Sequence, residues 1–173
     1  WCNDPVSVEA GEETVDVEKI EQRVYLTTER EKYTLLYNLV TKSEDRRILV
    51  FANMKSEASK LAKRLKENGL HCQVLTGDVP QHKRLSRLEE FRSGKTRLLV
   101  ATDVAGRGIH IEGIACVVNY TLPYEPEDYV HRIGRTGRAG AEGIAVSFAC
   151  EKGSFYLPAI EDYIGFALSC IPP

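Results

Sequence analysis

Three arginines, Arg132, Arg135 and Arg138, recur at every third position, and Gly134, Gly137, Gly140 and Gly143 keep the same interval between them. Arginine presents a planar fork of donors that stays charged at any working pH and matches phosphate oxygens in a way lysine does not. Each interior glycine would cost a helix roughly 1 kcal/mol relative to alanine, so the pattern predicts a helix ending near Ile133 and a turn-rich loop after it. Two forks on one rim of such a loop make a phosphate clamp; a glycine-arginine surface turn is the plain alternative. A second constellation, Ala101-Thr-Asp-Val-Ala-Gly-Arg-Gly-Ile-His-Ile111, sets a hydroxyl, a carboxylate, two glycines and an arginine directly after an apolar run. Hydroxyl and backbone amide groups there can bind nucleic-acid phosphates, and glycine permits close approach. In a third, Gly77-Asp-Val-Pro-Gln-His-Lys-Arg84, Pro80 opens a helix, and Gln81 and Arg84 share its first-turn face. Their side chains and the positive helix end can meet a phosphate, the alternative being a solvated helix start.

The elements that must position these groups follow from apolar periodicity. Residues 1–16 are acidic and aperiodic, with Pro5 and Gly11 as breakers, and read as an extended or partly disordered lead-in. Arg23–Leu26 is the first predicted strand, and Glu29 to Val40 carries Tyr33, Leu36, Tyr37 and Val40 at helical spacing with Thr28 as N-cap. Strands are then predicted over Ile48–Phe51, His71–Leu75, Arg97–Ala101, Ala115–Asn119 and Gly143–Phe148. Between and after them, helices are expected over Ser56–Asn68 (stopped by Gly69), Gln81–Phe91 (stopped at Gly94), Pro126–Ile133 and Gly153–Ile164. Continuously apolar strands separated by helices indicate an α/β fold, a mostly parallel sheet covered on both faces. In such sheets ligands bind beyond the carboxyl ends of the strands. Ala52-Asn53, Thr76-Gly77-Asp78, Thr102-Asp103 and Thr121-Leu122-Pro123 should therefore share one edge.

At 173 residues the chain is expected to form one domain, long enough to bury about 70% of its unfolded surface. The 23 Lys+Arg against 25 Asp+Glu leave a net charge of -2, which excludes a protein that coats nucleic acid electrostatically and confines any such contact to local patches. Five cysteines, widely spaced and never Cys-Xaa-Xaa-Cys, argue against a disulfide framework and a zinc site, and the four histidines share no metal-ligand spacing. A reducing, cytoplasmic setting is expected. No apolar run approaches 18 residues and no secretory signal opens the chain, so no membrane association is expected.

The octet His131-Arg-Ile-Gly-Arg-Thr-Gly-Arg138 resembles the last helicase motif of the DEAD-box ATP-dependent RNA helicases, and Ala101–Ile111 resembles their fifth. Gln81-Xaa-Xaa-Arg84 is similar to the family's Gln-Xaa-Xaa-Arg element, and Val50-Phe-Ala-Asn53 to its fourth motif, with Met54 where threonine is usual. The resemblance covers roughly Val17 to Ile164 and implies a RecA-like three-layer sandwich, the C-terminal domain of a two-domain helicase. The implied divisions are a linker-like lead-in over 1–16, the domain over 17–165, and a tail over 166–173 whose Pro172-Pro173 reads as a cut.

By the same resemblance Arg135 and Arg138 act as arginine fingers on the γ-phosphate, with His131 sensing the catalytic acids of the other domain. Asp103 joins the nucleotide site and, with Arg107, couples to the partner domain. Asn53, Gly77, Gln81, Arg84, Thr102, Arg107 and Gly108 are implied RNA contacts. His110 stands where the family carries an aspartate that accepts a hydrogen bond from the ATP ribose. Histidine can accept one only through an unprotonated ring nitrogen. The Gly-Ile-His variant and Pro158-Ala-Ile-Glu-Asp-Tyr-Ile-Gly165 are similar to the bacterial degradosome-associated type, which implies RNA turnover beside an RNA-degrading ribonuclease.

Gly94-Lys95-Thr96 has the tail of a phosphate-binding loop, but Glu89 stands where its first glycine belongs, and the triplet precedes a strand. Neither Gly-Xaa4-Gly-Lys-Ser/Thr nor Asp-Glu-Ala-Asp occurs in the chain. ATP with Mg²⁺ would be held mainly by an N-terminal RecA-like domain, and single-stranded RNA or short duplexes would lie across both. This chain alone is expected to be inactive as an ATPase. The alternative is a non-catalytic RNA- or protein-binding module of helicase-like fold.

Overall fold

Leu98-Leu-Val-Ala101 and Ile48-Leu-Val-Phe51 are apolar at every position because their strands are covered on both sides. The computed structural model describes residues 7–10, 13–137 and 142–172. Its main sheet has seven strands, all parallel: β3 (Ile20–Leu26), β4 (Arg47–Phe51), β5 (Gln73–Leu75), β6 (Leu98–Ala101), β7 (Ile114–Asn119), β8 (Gly143–Ala149) and β9 (Ser169–Ile171), in the order β5-β6-β4-β7-β8-β3-β9.

Alternate residues of each strand serve different faces. Ile48, Val50, Leu98, Val100, Cys116, Val118, Val146 and Phe148 pack under α1 (Lys32–Lys42) and α2 (Lys55–Glu67). Leu49, Phe51, Leu99, Ala101 and Val117 turn the other way, with Phe91 of α3 (Gln81–Arg92) and Ala105 of the one-turn α4 (Asp103–Gly106). On that same face Val24, Ala145 and Ala149 meet Tyr129, Val130 and Ile133 of α5 (Pro126–Ile133) and Leu157, Ile160 and Ile164 of α6 (Leu157–Ile164). The result is the expected three-layer α/β sandwich.

Four expectations shift. Residues 7–10 and 13–16, read as part of an extended or partly disordered lead-in, form β1 (Ser7–Ala10) and β2 (Glu13–Asp16), paired antiparallel. The first helix begins at Lys32 rather than Glu29: the Thr28 hydroxyl and N–H both donate to the Glu31 carboxylate, at 2.9 and 3.3 Å, which holds residues 29–31 in a turn. Ser154–Tyr156 is a 3-10 turn, and the last helix starts only at Leu157, with Pro158 in its opening positions. Residues 169–171, read as tail, form β9 against β3, a strand too short for its pattern to stand out.

Candidate functional site

Because every strand of the main sheet points the same way, the loops after β4, β5, β6 and β7 meet at one edge, as the motifs require. The Asn53 N–H donates to the Thr121 hydroxyl (2.9 Å), and the Thr102 N–H to the Leu75 carbonyl (3.2 Å), stitching neighbouring loops together. The residue that organises them is Arg132, on the inner face of α5 and 1% exposed. Its Nε and Nη2 donate to Oδ1 and Oδ2 of Asp103 at 2.6 and 2.7 Å, a two-toothed ion pair. Nη2 also donates to Oδ1 of Asn53 (2.6 Å), and Nη1 to the Thr121 carbonyl (2.8 Å) and Oδ1 of fully buried Asn119 (3.2 Å). The guanidinium lies over the Phe51 ring, 5.3 Å from its centroid. One side chain thereby joins α5 to the loops after β4, β6 and β7. Its spacing with Arg135 and Arg138 was visible in the sequence, but its partners were not. The signal available was Asp103, a carboxylate beside a buried strand that requires a cation.

Arg135 is also buried. Its Nε donates to the His131 carbonyl (3.1 Å) and its Nη1 to the Ile109 carbonyl (2.9 Å), contacts that orient the fork. Arg138 lies outside the described residues. His131 is half-buried, with Nδ1 3.9 Å from Oδ1 of Asp128. Arg135, His131, His110, Asp103, Arg107, Gly108 and Arg132 all line one cleft of about 310 Å³, together with Asp128, Gly106 and Phe51. The structure therefore brings together the described residues that the sequence singles out for the nucleotide. The cleft's cationic wall fits the phosphates of a nucleotide, and its exposed His110 fits a sugar hydroxyl.

The remaining candidates spread along the same edge with different freedom. Gly77 and Gln81 are exposed, and Nη2 of half-buried Arg84 donates to the Arg107 carbonyl (3.3 Å), linking α3 to the loop after α4. Arg107 and Gly108 are exposed. Thr102 is 5% exposed, and the Asn53 side chain is occupied at both ends, its Nδ2 donating to the Leu122 carbonyl (2.8 Å). These two act first as braces, leaving Gly77, Gln81, Arg84, Arg107 and Gly108 as the accessible row. Among the described residues no group of three His, Cys, Asp or Glu could hold a metal ion, and no helix is long and apolar enough to cross a membrane.

Comparison with known proteins agrees with this geometry. The profile of the family described as helicase conserved C-terminal domain matches residues 31–140. The ATP-dependent RNA helicase RhlB of Pseudomonas syringae is 54% identical over 173 residues, all of this chain and 44% of that protein, so the chain spans less than half of that relative. Among solved structures, the E. coli DEAD-box protein SrmB bound to regulator of ribonuclease activity A superposes with a TM-score of 0.83 at 34% identity, over 88% of this chain and 90% of that one. S. cerevisiae Dbp5 bound to RNA and ADP BeF3 gives a TM-score of 0.83 at 35% identity, over 89% of this chain and 42% of that one.

Proposed function

Since the chain belongs to the helicase conserved C-terminal domain family, as the C-terminal RecA-like domain of a DEAD-box protein, we propose that it is the half of an ATP-dependent RNA helicase that supplies the arginine fingers and half of a single-stranded RNA path. The observation that carries this reading is the Arg132 hub. It fixes α5, which leads into the Arg135–Arg138 stretch, to the loops that hold Asn53 and Asp103, so the nucleotide wall and the RNA edge move as one body.

In the proposed mechanism ATP with Mg²⁺ is held mainly by an N-terminal RecA-like domain and supplies the free energy of the cycle. Arg135 and Arg138 reach across the closed cleft to the γ-phosphate. Arginine fingers are worth about 10³ to 10⁵ in rate in nucleotide hydrolases. Arg107 and Asp103 couple to the other domain, and His110 orients the ribose. Gly77, Gln81, Arg84, Arg107 and Gly108 contact one RNA strand, with Asn53 and Thr102 behind them. Contacts that suit a bent single strand but not a regular duplex make closure pry base pairs apart locally. The setting we propose is the cytoplasm, in RNA turnover beside an RNA-degrading ribonuclease, which co-purification with such an enzyme would test.

The deciding experiment is RNA-stimulated ATP hydrolysis by this chain fused to a DEAD-box N-terminal domain. Activity is expected in the fusion and not in the chain alone. Arg138→Ala is expected to lower it at least ~100-fold, about 2.7 kcal/mol, and His110→Asp in the same assay checks the ribose contact through its KM for ATP. Equal activity in wild type and Arg138→Ala would leave a non-catalytic binding module.

A further inference from the structure

Beyond β7, on the side away from the cleft, the same sheet edge opens a second cavity of about 340 Å³, lined among others by Glu29, Lys32, Glu57, Tyr124, Lys152 and Tyr156. Tyr124 and Tyr156 stand on its rim, and Phe155 packs beside Tyr156. Tyr124 is 55% and Phe155 65% exposed, and Tyr156 touches both, with ring centroids 5.4 Å from Tyr124 at 64° and 4.4 Å from Phe155 at 41°. A cluster of large rings left open to water marks a contact surface more often than an idle one.

The floor of the cavity indicates the chemistry of that contact. Lys32 is 1% exposed, with its Nζ 3.2 Å from Oε2 of Glu29 and 4.6 Å from the Tyr120 ring centroid. A carboxylate and an aromatic face together hold this cation out of water. The rim repeats the pairing: the rings of Tyr124 and Tyr156 stand over a cavity that Glu57 also lines, and Glu57 makes no ion pair among the described residues. Charge decides between classes of ligand. A nucleic-acid strand would face Glu29, Glu57 and Glu151, whose carboxylate accepts the Glu29 N–H at 3.2 Å, with Lys152 the one exposed cation in the lining.

We propose that this rim receives an arginine from a basic segment of a partner protein. A guanidinium stacks on a tyrosine face while its fork meets a carboxylate, which an ammonium does less well. The site shares Asn53 and Thr121 with the edge described above but none of the cleft's lining residues, and its test needs neither ATP nor RNA turnover, so its failure and that of the helicase reading are distinguishable.

The test is fluorescence anisotropy of a labelled hexa-arginine peptide with the 173-residue chain, run in parallel with a labelled oligouridine. Tyr124→Ala and Glu57→Gln are each expected to weaken peptide binding about three- to tenfold, the worth of one exposed cation–π or ion-pair contact. Tyr124→Phe should bind as wild type, and Lys152→Glu should bind tighter. Absence of peptide binding, or equal binding by all variants, overturns the proposal. So does oligouridine binding that Lys152→Glu abolishes while peptide binding stays unchanged, which would make the rim a nucleic-acid face.

Discussion

Arg132 shapes the site by binding its loops to one another. Its five donated bonds satisfy Asp103, Asn53, Asn119 and Thr121, and a lysine in its place could reach one or two of them as a point charge. Arg132→Lys is expected to cost about 2 to 4 kcal/mol, because buried polar groups are left without partners. Urea unfolding of this chain measures it, and an unchanged midpoint would mean that the loops hold themselves. What was legible at this scale depended on chemistry with a sequence-local signature. Glycine-spaced arginines, a proline opening a helix, and a carboxylate after an apolar run can all be read directly. Arg132 was legible as one of three arginines but not as their anchor, because its acceptors lie on three other loops. That Thr102 and Asn53 also brace neighbouring loops was hidden for the same reason: a hydroxyl or amide in a motif reads alike whether it faces solvent or a neighbouring loop.

At the scale of elements, the stretch after α5 depends on a close approach of two backbones. Gly137 has φ +70°, and a Cβ built on Gly143 would lie 2.7 Å from the Gly137 Cα and 2.8 Å from the Thr136 hydroxyl. Gly143 is also the first residue of β8 and pairs with Ile20, so it cannot retreat without breaking the ladder. Gly143→Ala is expected to destabilise the domain by about 1 to 3 kcal/mol, and to lower ATPase activity in the fused enzyme by shifting the base of the segment that carries Arg138. A thermal melt and the RNA-stimulated assay read the two effects, and a wild-type melt would mean that the two backbones can part without cost. The helices and central strands were legible from periodicity and glycine stops, with ends moved by at most four residues. Short edge elements were not, since three or four residues carry too little pattern: β9, α4 and the pair β1–β2 exist through the neighbours they meet.

For the whole molecule, one contribution to alkaline stability comes from Tyr120, whose ring lies against Lys32 at the second cavity. Burial, with the carboxylates of Glu29 and Glu57 near, pushes the Tyr120 hydroxyl up to about 12 from its ordinary value of 10.0. Between these values the unfolded chain gives up this proton and the folded chain keeps it, so the stability it contributes is complete below pH 10 and is lost as pH rises toward 12. Tyr120→Phe is therefore expected to flatten the fall of melting temperature over that window. An identical fall in the variant would assign the alkaline loss to other groups, such as Tyr129, whose hydroxyl burial pushes higher still.

The position of β3 in the sheet has a consequence for how the molecule is made. Ile20 lies opposite Gly143, and Arg23 opposite Ser169, so the first strand of the main sheet to leave the ribosome finds both of its neighbours only when nearly all of the chain has been synthesised. The interior strands β4, β6 and β7 can pair earlier, while synthesis at about 5 to 20 residues per second leaves β3 waiting for seconds. Parallel pairing over such separations is slow in itself. The first strand of the main sheet to be made is therefore among the last to be hydrogen-bonded, and until it docks, Val24 and the inner faces of α5 and α6 remain open to any chaperone that samples the nascent chain.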